Sequence, residues 1–356
     1  MERGGFSARL LAWYERHGRK DLPWQQPRTP YRVWVSEVML QQTRVETVIP
    51  YFERFVARFP DVGALAAAEL DEVLRLWSGL GYYARARHLH RAAGLVLERH
   101  AGVLPRAIAP LADLPGIGRS TAGAILALAH DERQPILDGN VKRVLARYHE
   151  VPGWPGTPRV AAQLWAIAEA HTPHARVADY TQAIMDLGAT VCVRRRPACT
   201  ACPLAEGCGA RAAGTVERYP HPRPARPLPV RTTVFVLARN PVGEVLLERR
   251  PPLGVWGGLW GLPECANGEA VEAWCLRHLG RPPRAVRPWP PIRHTFSHFH
   301  LDISPVALRV DAPPERVLEA DDRVWYKPGN TPPGGLAAPV ARILERLAAL
   351  PSGDDP

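Results

Sequence analysis

The run Leu114-Pro115-Gly116-Ile117-Gly118 leads directly into Arg119-Ser120-Thr121-Ala122-Gly123-Ala124-Ile125-Leu126, a turn followed by the start of a helical pattern. Two glycines permit positive φ and close backbone approach. The helix start behind them offers unpaired amides and a partial positive charge, so the segment can hold a phosphate without reading sequence. A plain turn between helices would carry the same residues. Outward from this hairpin, from Phe6 to about Val191, apolar residues recur at three- and four-residue spacing. Phe6, Leu10, Leu11 and Tyr14 open the pattern. Further helical stretches are expected near Tyr31–Gln42, Val45–Phe59, Leu70–Trp77, Ala84–Arg99, Arg119–Ala129, Val141–Tyr148, Val160–Ala170 and Val177–Val191.

The texture changes after a basic, Pro-rich stretch, Arg218 to Pro229, which can hold neither a helix nor a central strand. Thr232–Ala238 and Glu244–Glu248 read as strands about the turn Asn240-Pro241-Val242-Gly243. Leu301–Val310 reads as another strand, and Ala270–Leu279 and Ala338–Leu350 as helices. The organisation expected is an all-α domain over 1–217, a linker over 218–229, a mixed α/β domain over 230–350 and a frayed tail over 351–356.

With 356 residues and 46% hydrophobic residues the chain can bury a core in each part, which excludes wholesale disorder. Lysine and arginine number 45 against 35 acidic residues, a net charge of +10 that points to a polyanionic partner. The longest apolar run, Ala122–Ala129, is under half of the roughly 18 residues a membrane helix needs. No apolar signal core follows Met1-Glu2-Arg3-Gly4-Gly5, so a soluble cytoplasmic protein with reduced thiols is expected. No heptad pattern is evident, and a monomer is the expectation.

Cys192, Cys199, Cys202 and Cys208 are spaced C-x6-C-x2-C-x5-C, compact enough for one loop over 192–208 to wrap a metal centre. Four thiolates suit zinc or an iron–sulfur cluster, and the spacing does not choose between them. Cys265 and Cys275 stand apart and read as buried thiols. Between the first two cysteines, Arg194-Arg195-Arg196 would clamp phosphates if the loop were rigid, or else form a solvated charge run.

Two carboxylates stand out. Asp138, in Leu137-Asp138-Gly139-Asn140, sits at or just before a helix start, where aspartate is a good N-cap. Glu37 lies in the apolar stretch Val33-Trp34-Val35-Ser36-Glu37-Val38-Met39-Leu40, where an unpaired carboxyl would hold its proton.

Six motifs in order now carry a resemblance: Leu22-Pro23-Trp24, Ser36 to Thr43, Gly79-Leu80-Gly81-Tyr82-Tyr83, the Leu114–Gly118 run, Leu137 to Asn140 and the cysteine set. The chain resembles the MutY-type adenine DNA glycosylases of the helix-hairpin-helix superfamily, which includes endonuclease III. The resemblance implies a helical glycosylase domain with a 4Fe–4S cluster on the four cysteines, and base excision of adenine mispaired with 8-oxoguanine or guanine in duplex DNA at the bacterial nucleoid. Protonated Glu37 would donate to adenine N7 and later act as base toward water. Ionised Asp138 would stabilise the oxocarbenium-like sugar, with Asn140 holding Asp138 or the water.

Base removal requires extrusion from the duplex. The resemblance assigns Gln42 and Tyr82 as wedges beside the lesion, Gly116, Gly118 and Ser120 to the DNA-binding hairpin, and Trp24 and Gln182 to the base pocket. Gln182 could pair bidentately with an adenine edge, although a surface helix position fits it as well, and Trp24 equally suits a core. Ser120 stands where endonuclease III has a lysine that forms a Schiff base, so a glycosylase without strand cleavage is expected. A bifunctional lyase and a non-catalytic mismatch binder are the alternatives.

Gly257 to Glu264 resembles the start of a Nudix fold. The box that would bind magnesium is broken, because Glu272-Ala273 and Leu276-Arg277 stand where Arg-Glu and Glu-Glu pairs are required. The domain is therefore expected to read the lesion through Phe296-Ser297-His298, flanked by Arg293 and Thr295. A competing expectation places His294, His298 and His300 on one strand face as a zinc site, with Asp302 nearby.

Overall fold

The computed structural model describes residues 5–224, 227–252, 254–265, 270–311 and 322–349. Its helices are α1 (Phe6–His17), α2 (Pro30–Leu40), α3 (Val45–Arg58), α4 (Val62–Ala66), α5 (Leu70–Trp77), α6 (Ala84–His100), α7 (Ile108–Ala112), α8 (Arg119–His130), α9 (Gly139–Tyr148), α10 (Pro158–His171), α11 (Val177–Asp186), α12 (Gly209–Ala212), α13 (Val271–Leu279) and α14 (Ala338–Ala348). The strands are β1 (Val230–Arg239), β2 (Val245–Arg249), β3 (Trp260–Gly261), β4 (Glu264–Cys265), β5 (Ala285–Pro288), β6 (Ile292–Thr295), β7 (His300–Arg309) and β8 (Arg323–Tyr326).

Two compact units result, Met1–Ala68 with Arg87–Ala225, and Glu69–Ala86 with Arg226–Pro356. A linear division at the linker therefore does not describe Glu69–Ala86. The reason is local. Asp71 on α5 forms an ion pair with Arg249 of β2, and the Tyr83 hydroxyl donates to the Leu336 carbonyl at 3.1 Å. The expected tail over 351–356 lies outside the described residues.

In the first unit α2 is the central helix. Thr29 caps it by accepting from the Arg32 amide at 3.2 Å, and Pro30 occupies the first turn, where no amide partner is lost. Tyr31, Val33, Trp34, Val35, Ser36, Val38 and Met39 are all buried, so the helix is enclosed on nearly every side. Helix α8 packs on it, and α11 packs on α1 and α8. A side chain at Gly123 of α8 would meet the Pro135 carbonyl at 2.6 Å, so glycine is what lets the chain before Asp138 lie against α8.

The second unit carries an eight-stranded mixed sheet, with path β3-β2-β1-β7-β5 and with β4, β6 and β8 pairing β1, β7 and β2 respectively. β1 and β7 run parallel in register from Val230↔His300 to Arg239↔Arg309, and the other pairings are antiparallel. Helix α13 buries Trp274, Cys275 and Leu279 against Val236, Leu246, Cys265, Leu308 and Trp325. Both remote cysteines are thus core thiols. The short strands β3, β4, β5, β6 and β8 lack a run long enough to show alternation in the sequence.

Candidate active site

Glu37 projects from the enclosed helix α2. It keeps some contact with solvent, but protein surrounds it at depth. Burial, reinforced by the nearby Asp138 carboxyl, pushes its pKa up to about 8. Such a group still holds its proton at neutral pH.

Asp138 is the N-cap of α9. Its Oδ1 accepts from the Val141 amide at 2.8 Å, and its Oδ2 from the Asn140 side-chain amide at 3.1 Å. Burial raises its pKa, while these donors and the Arg143 guanidinium pull it back toward the ionised form. The net displacement is upward, so Asp138 is not held below the ordinary carboxylate range as a plainly ionised partner would be. Desolvation outweighs the donors.

Asn140 is fixed from both ends: its oxygen accepts from Arg143 at 2.8 Å while its nitrogen faces Asp138. Arg143 also reaches the carbonyls of Gly188 and Cys192 at 2.6 and 2.7 Å, tying the carboxylate's helix to the cysteine loop. The Ser120 hydroxyl accepts from the Leu137 amide at 2.9 Å, one residue before Asp138.

The hairpin between α7 and α8 uses its glycines unequally. Gly116 has φ +80, and a side chain there would meet His88 at 2.9 Å. Gly118 instead has φ −89 as the N-cap of α8, with open space where a side chain would sit. Positive φ is therefore a requirement only at Gly116, and what Gly118 supplies is an exposed, unobstructed helix start. The Gln41 side chain donates to the Gly116 carbonyl at 3.5 Å, so the end of α2 adjoins the hairpin. Gln42 follows, exposed and left-handed at φ 60. In the second unit Tyr82 is likewise left-handed at φ 50 and half exposed.

Trp24 is buried with its ring edge-on to Phe52 at 5.4 Å, a core contact. Gln182 is buried rather than on the surface. Its Nε2 donates to Asp186 Oδ1 at 2.8 Å, and the fully buried Asp186 also accepts from the Arg19 amide and guanidinium at 2.6–2.9 Å.

Cys192, Cys199, Cys202 and Cys208 line one cavity together with Val144, Leu187, Val191, Pro197 and Leu204. Among the described residues no three Cys, His, Asp or Glu side chains converge as a site for a single ion. Burial pushes the Cys202 thiol up to about 11, so its thiolate needs a cationic centre or donors. Arg147, 2% exposed, donates to Cys192 Sγ at 3.3 Å and to the carbonyls of Val193, Arg194, Val216 and Tyr219. Arg194, Arg195 and Arg196 are exposed on this loop.

In the second unit the turn between β6 and β7 holds Phe296, Ser297 and His298. Phe296 stacks on Phe299 at 4.6 Å, while Ser297 and His298 are exposed. Arg293 is paired with Asp302 and Thr295 with His300. The three-histidine zinc expectation is overturned: His298 sits in the turn, and His294 pairs with Leu301 whereas His300 pairs with Thr295, on opposite faces. The regular strand on which that expectation rested is a hairpin.

Residues 35–187 match the model of the HhH-GPD superfamily of base excision DNA repair proteins, and residues 233–346 match the NUDIX domain. An adenine DNA glycosylase of Buchnera aphidicola subsp. Acyrthosiphon pisum is 39% identical over 96% of this chain and 97% of its own length. This chain belongs to the adenine DNA glycosylase family. The human adenine DNA glycosylase is 34% identical, covering 86% of this chain and 67% of its own length. As a fold, this family member is similar to a thermostable thymine-DNA glycosylase, at TM-score 0.54 and 26% identity over 58% of this chain and 95% of that one. An endonuclease III in complex with DNA shares the fold at TM-score 0.51 and 20% identity, over 58% of this chain and 94% of that one.

Sequence reasoning missed Arg19, Asp186, Arg143 and Arg147. For Arg147 a signal existed, since it falls three residues after Val144 and six after Val141, on the apolar face of α9. Asp186 lies one helical turn after Gln182. For Arg19, in the loop after α1, no local pattern marks a partner 167 residues away.

Proposed function

We propose that this chain hydrolyses the N-glycosidic bond of adenine mispaired with 8-oxoguanine or guanine in duplex DNA, and leaves the strand uncut. The observation that carries the reading is Glu37, held near pKa 8 beside Asp138. Adenine is a poor anionic leaving group, and a carboxyl that is still protonated at neutral pH can donate to its N7 as the bond breaks. Asp138, with one oxygen on the Val141 amide and the other on Asn140, offers negative charge to the oxocarbenium-like sugar. Once deprotonated, Glu37 can take a proton from the attacking water, which Asn140 helps to hold.

Three features support duplex binding with base extrusion. Gly116, Gly118 and the start of α8 offer amides to phosphate. Gln42 and Tyr82 present exposed side chains from left-handed backbone, suited to wedging beside the lesion. In this reading Gln182 contacts the extruded base and Ser297 and His298 in the second unit contact 8-oxoguanine, with Phe296 bracing the turn, while Trp24, packed on Phe52, is a core residue. The hydroxyl of Ser120, engaged with the Leu137 amide, cannot form a Schiff base, which favours a monofunctional enzyme.

The donor set suits a 4Fe–4S cluster on Cys192, Cys199, Cys202 and Cys208, because four thiols that line one cavity are the ligand set such a centre takes. A cluster held there would fix the loop that carries Arg194 to Arg196. No described helix is long and apolar enough to cross a membrane, and action as a monomer at the nucleoid fits the reading.

The test is a single-turnover assay on duplexes with adenine opposite 8-oxoguanine, guanine or thymine, with and without alkali. Breaks only after alkali, and only for the first two duplexes, are expected. Breaks without alkali would replace the reading with a lyase, and absence of base release would replace it with a mismatch binder.

A further inference from the structure

The buried Asp186 carboxylate belongs to none of the chemistry above, yet it is one of the most heavily engaged groups in the first unit. It accepts from the Arg19 backbone amide at 2.8 Å, from Arg19 Nε and Nη2 at 2.9 and 2.6 Å, and from Gln182 Nε2 at 2.8 Å. A carboxylate paired with a guanidinium is ionised and is an acceptor only. That fixes the orientation of the Gln182 amide, whose nitrogen must face Asp186. Among the described residues this is the only hydrogen bond of the Gln182 side chain, and Oε1 is not one of the buried atoms lacking a partner, so it keeps access to solvent.

We infer that Asp186, held by Arg19, is a positioning residue for base selection: by taking the nitrogen of Gln182 it presents Oε1, an acceptor, to the extruded base. The inference rests on the reading above that Gln182 contacts that base. An outward acceptor matches the exocyclic N6 amine of adenine. It opposes the O6 carbonyl that guanine and hypoxanthine carry at the same position. With Glu37 donating to N7, the pair then reads a donor beside an acceptor on one edge of the purine. The expected bidentate pairing by Gln182 narrows accordingly, since one of its amide hydrogens is committed to Asp186.

Asp186→Ala tests this directly. Asp186 Oδ1 takes both the Arg19 guanidinium and Gln182 Nε2, so alanine leaves the Arg19 donors beside the glutamine amide without an acceptor, which favours the flipped glutamine with its oxygen inward and its nitrogen outward. The measurement is the ratio of single-turnover rate constants for adenine and hypoxanthine opposite 8-oxoguanine, a ratio that general loss of stability leaves unmoved. It should fall by about 10- to 100-fold, the range set by one buried hydrogen bond reversed. A second pair of variants keeps the test independent of whether Asp186→Ala folds. Gln182→Glu can present only oxygen to the base and should keep the adenine preference, whereas Gln182→Leu should lose it. An unchanged ratio in Asp186→Ala, or loss of preference in Gln182→Glu, alongside a collapsed ratio in Gln182→Leu, overturns the positioning role and leaves Gln182 as a base contact. An unchanged ratio in Gln182→Leu removes Gln182 from the base pocket altogether.

Discussion

Ser120 Oγ accepts a hydrogen bond from the Leu137 amide at 2.9 Å, joining the first turn after the hairpin to the residue just ahead of Asp138. The element proposed to grip phosphate and the carboxylate proposed to stabilise the sugar are thereby held by one short contact. Ser120→Ala leaves that partly buried amide without its acceptor and should cost about 1 kcal/mol of stability. Urea unfolding measures the loss, and a fall in single-turnover rate larger than the loss of folded fraction would locate the effect at Asp138. A lysine there would also test monofunctionality. Ser120→Lys should gain borohydride-trapped complex that the unaltered protein lacks.

Glu37→Gln should abolish adenine release while leaving affinity for the mispaired duplex nearly unchanged, because the amide keeps the volume of the side chain and removes its transferable proton. Parallel loss of both, read by gel shift and by base release, would make Glu37 a structural residue instead.

The pH dependence has a definite sign. A carboxyl raised from 4.5 to about 8 binds its proton more firmly in the folded protein than in the unfolded chain. Its contribution to stability is complete below about pH 4.5 and is lost as pH climbs through 8. Base release under single turnover should fall above about pH 8 with the same group. Thermal unfolding of the parent and of Glu37→Gln across pH 5–9 should show a parent-only decline, and parallel curves would mean that Glu37 titrates normally.

Asp138 both caps α9 and faces the reaction, and the two roles separate by substitution. Asparagine is a good N-cap, so Asp138→Asn should keep stability within about 0.5 kcal/mol, whereas Asp138→Ala should lose about 1 kcal/mol. Both should lower base release by at least about 100-fold, as expected when charge stabilisation is removed. Near-normal release by Asp138→Asn would reduce the residue to a cap.

Affinity for duplex should weaken steeply with salt. Replacing exposed Arg194, Arg195 and Arg196 with serine should flatten the slope of log K against log salt by up to about three ions. An unchanged slope would mean that this loop does not meet phosphate.

The amino-acid sequence alone determined the helical first part, the change to strands after the Pro-rich stretch, the hairpin and the cysteine spacing, because each is written in local periodicity or in residues that permit a particular backbone. Glu37 and Asp138 could be singled out in the same way, one as a carboxyl in an apolar helix and the other as a cap. Only tertiary structure decided how they behave. The upward displacement of both carboxyls depends on burial contributed by other helices, and the orientation of Asn140 depends on Arg143 reaching Gly188 and Cys192. The commitment of Gln182 to Asp186, itself anchored by Arg19, joins residues 167 positions apart. The second unit repeats the lesson, since three histidines that alternate in sequence are separated by a turn that pairing with β7 imposes. Local rules act over a few residues, whereas desolvation and hydrogen-bond direction are set by whatever the fold brings alongside.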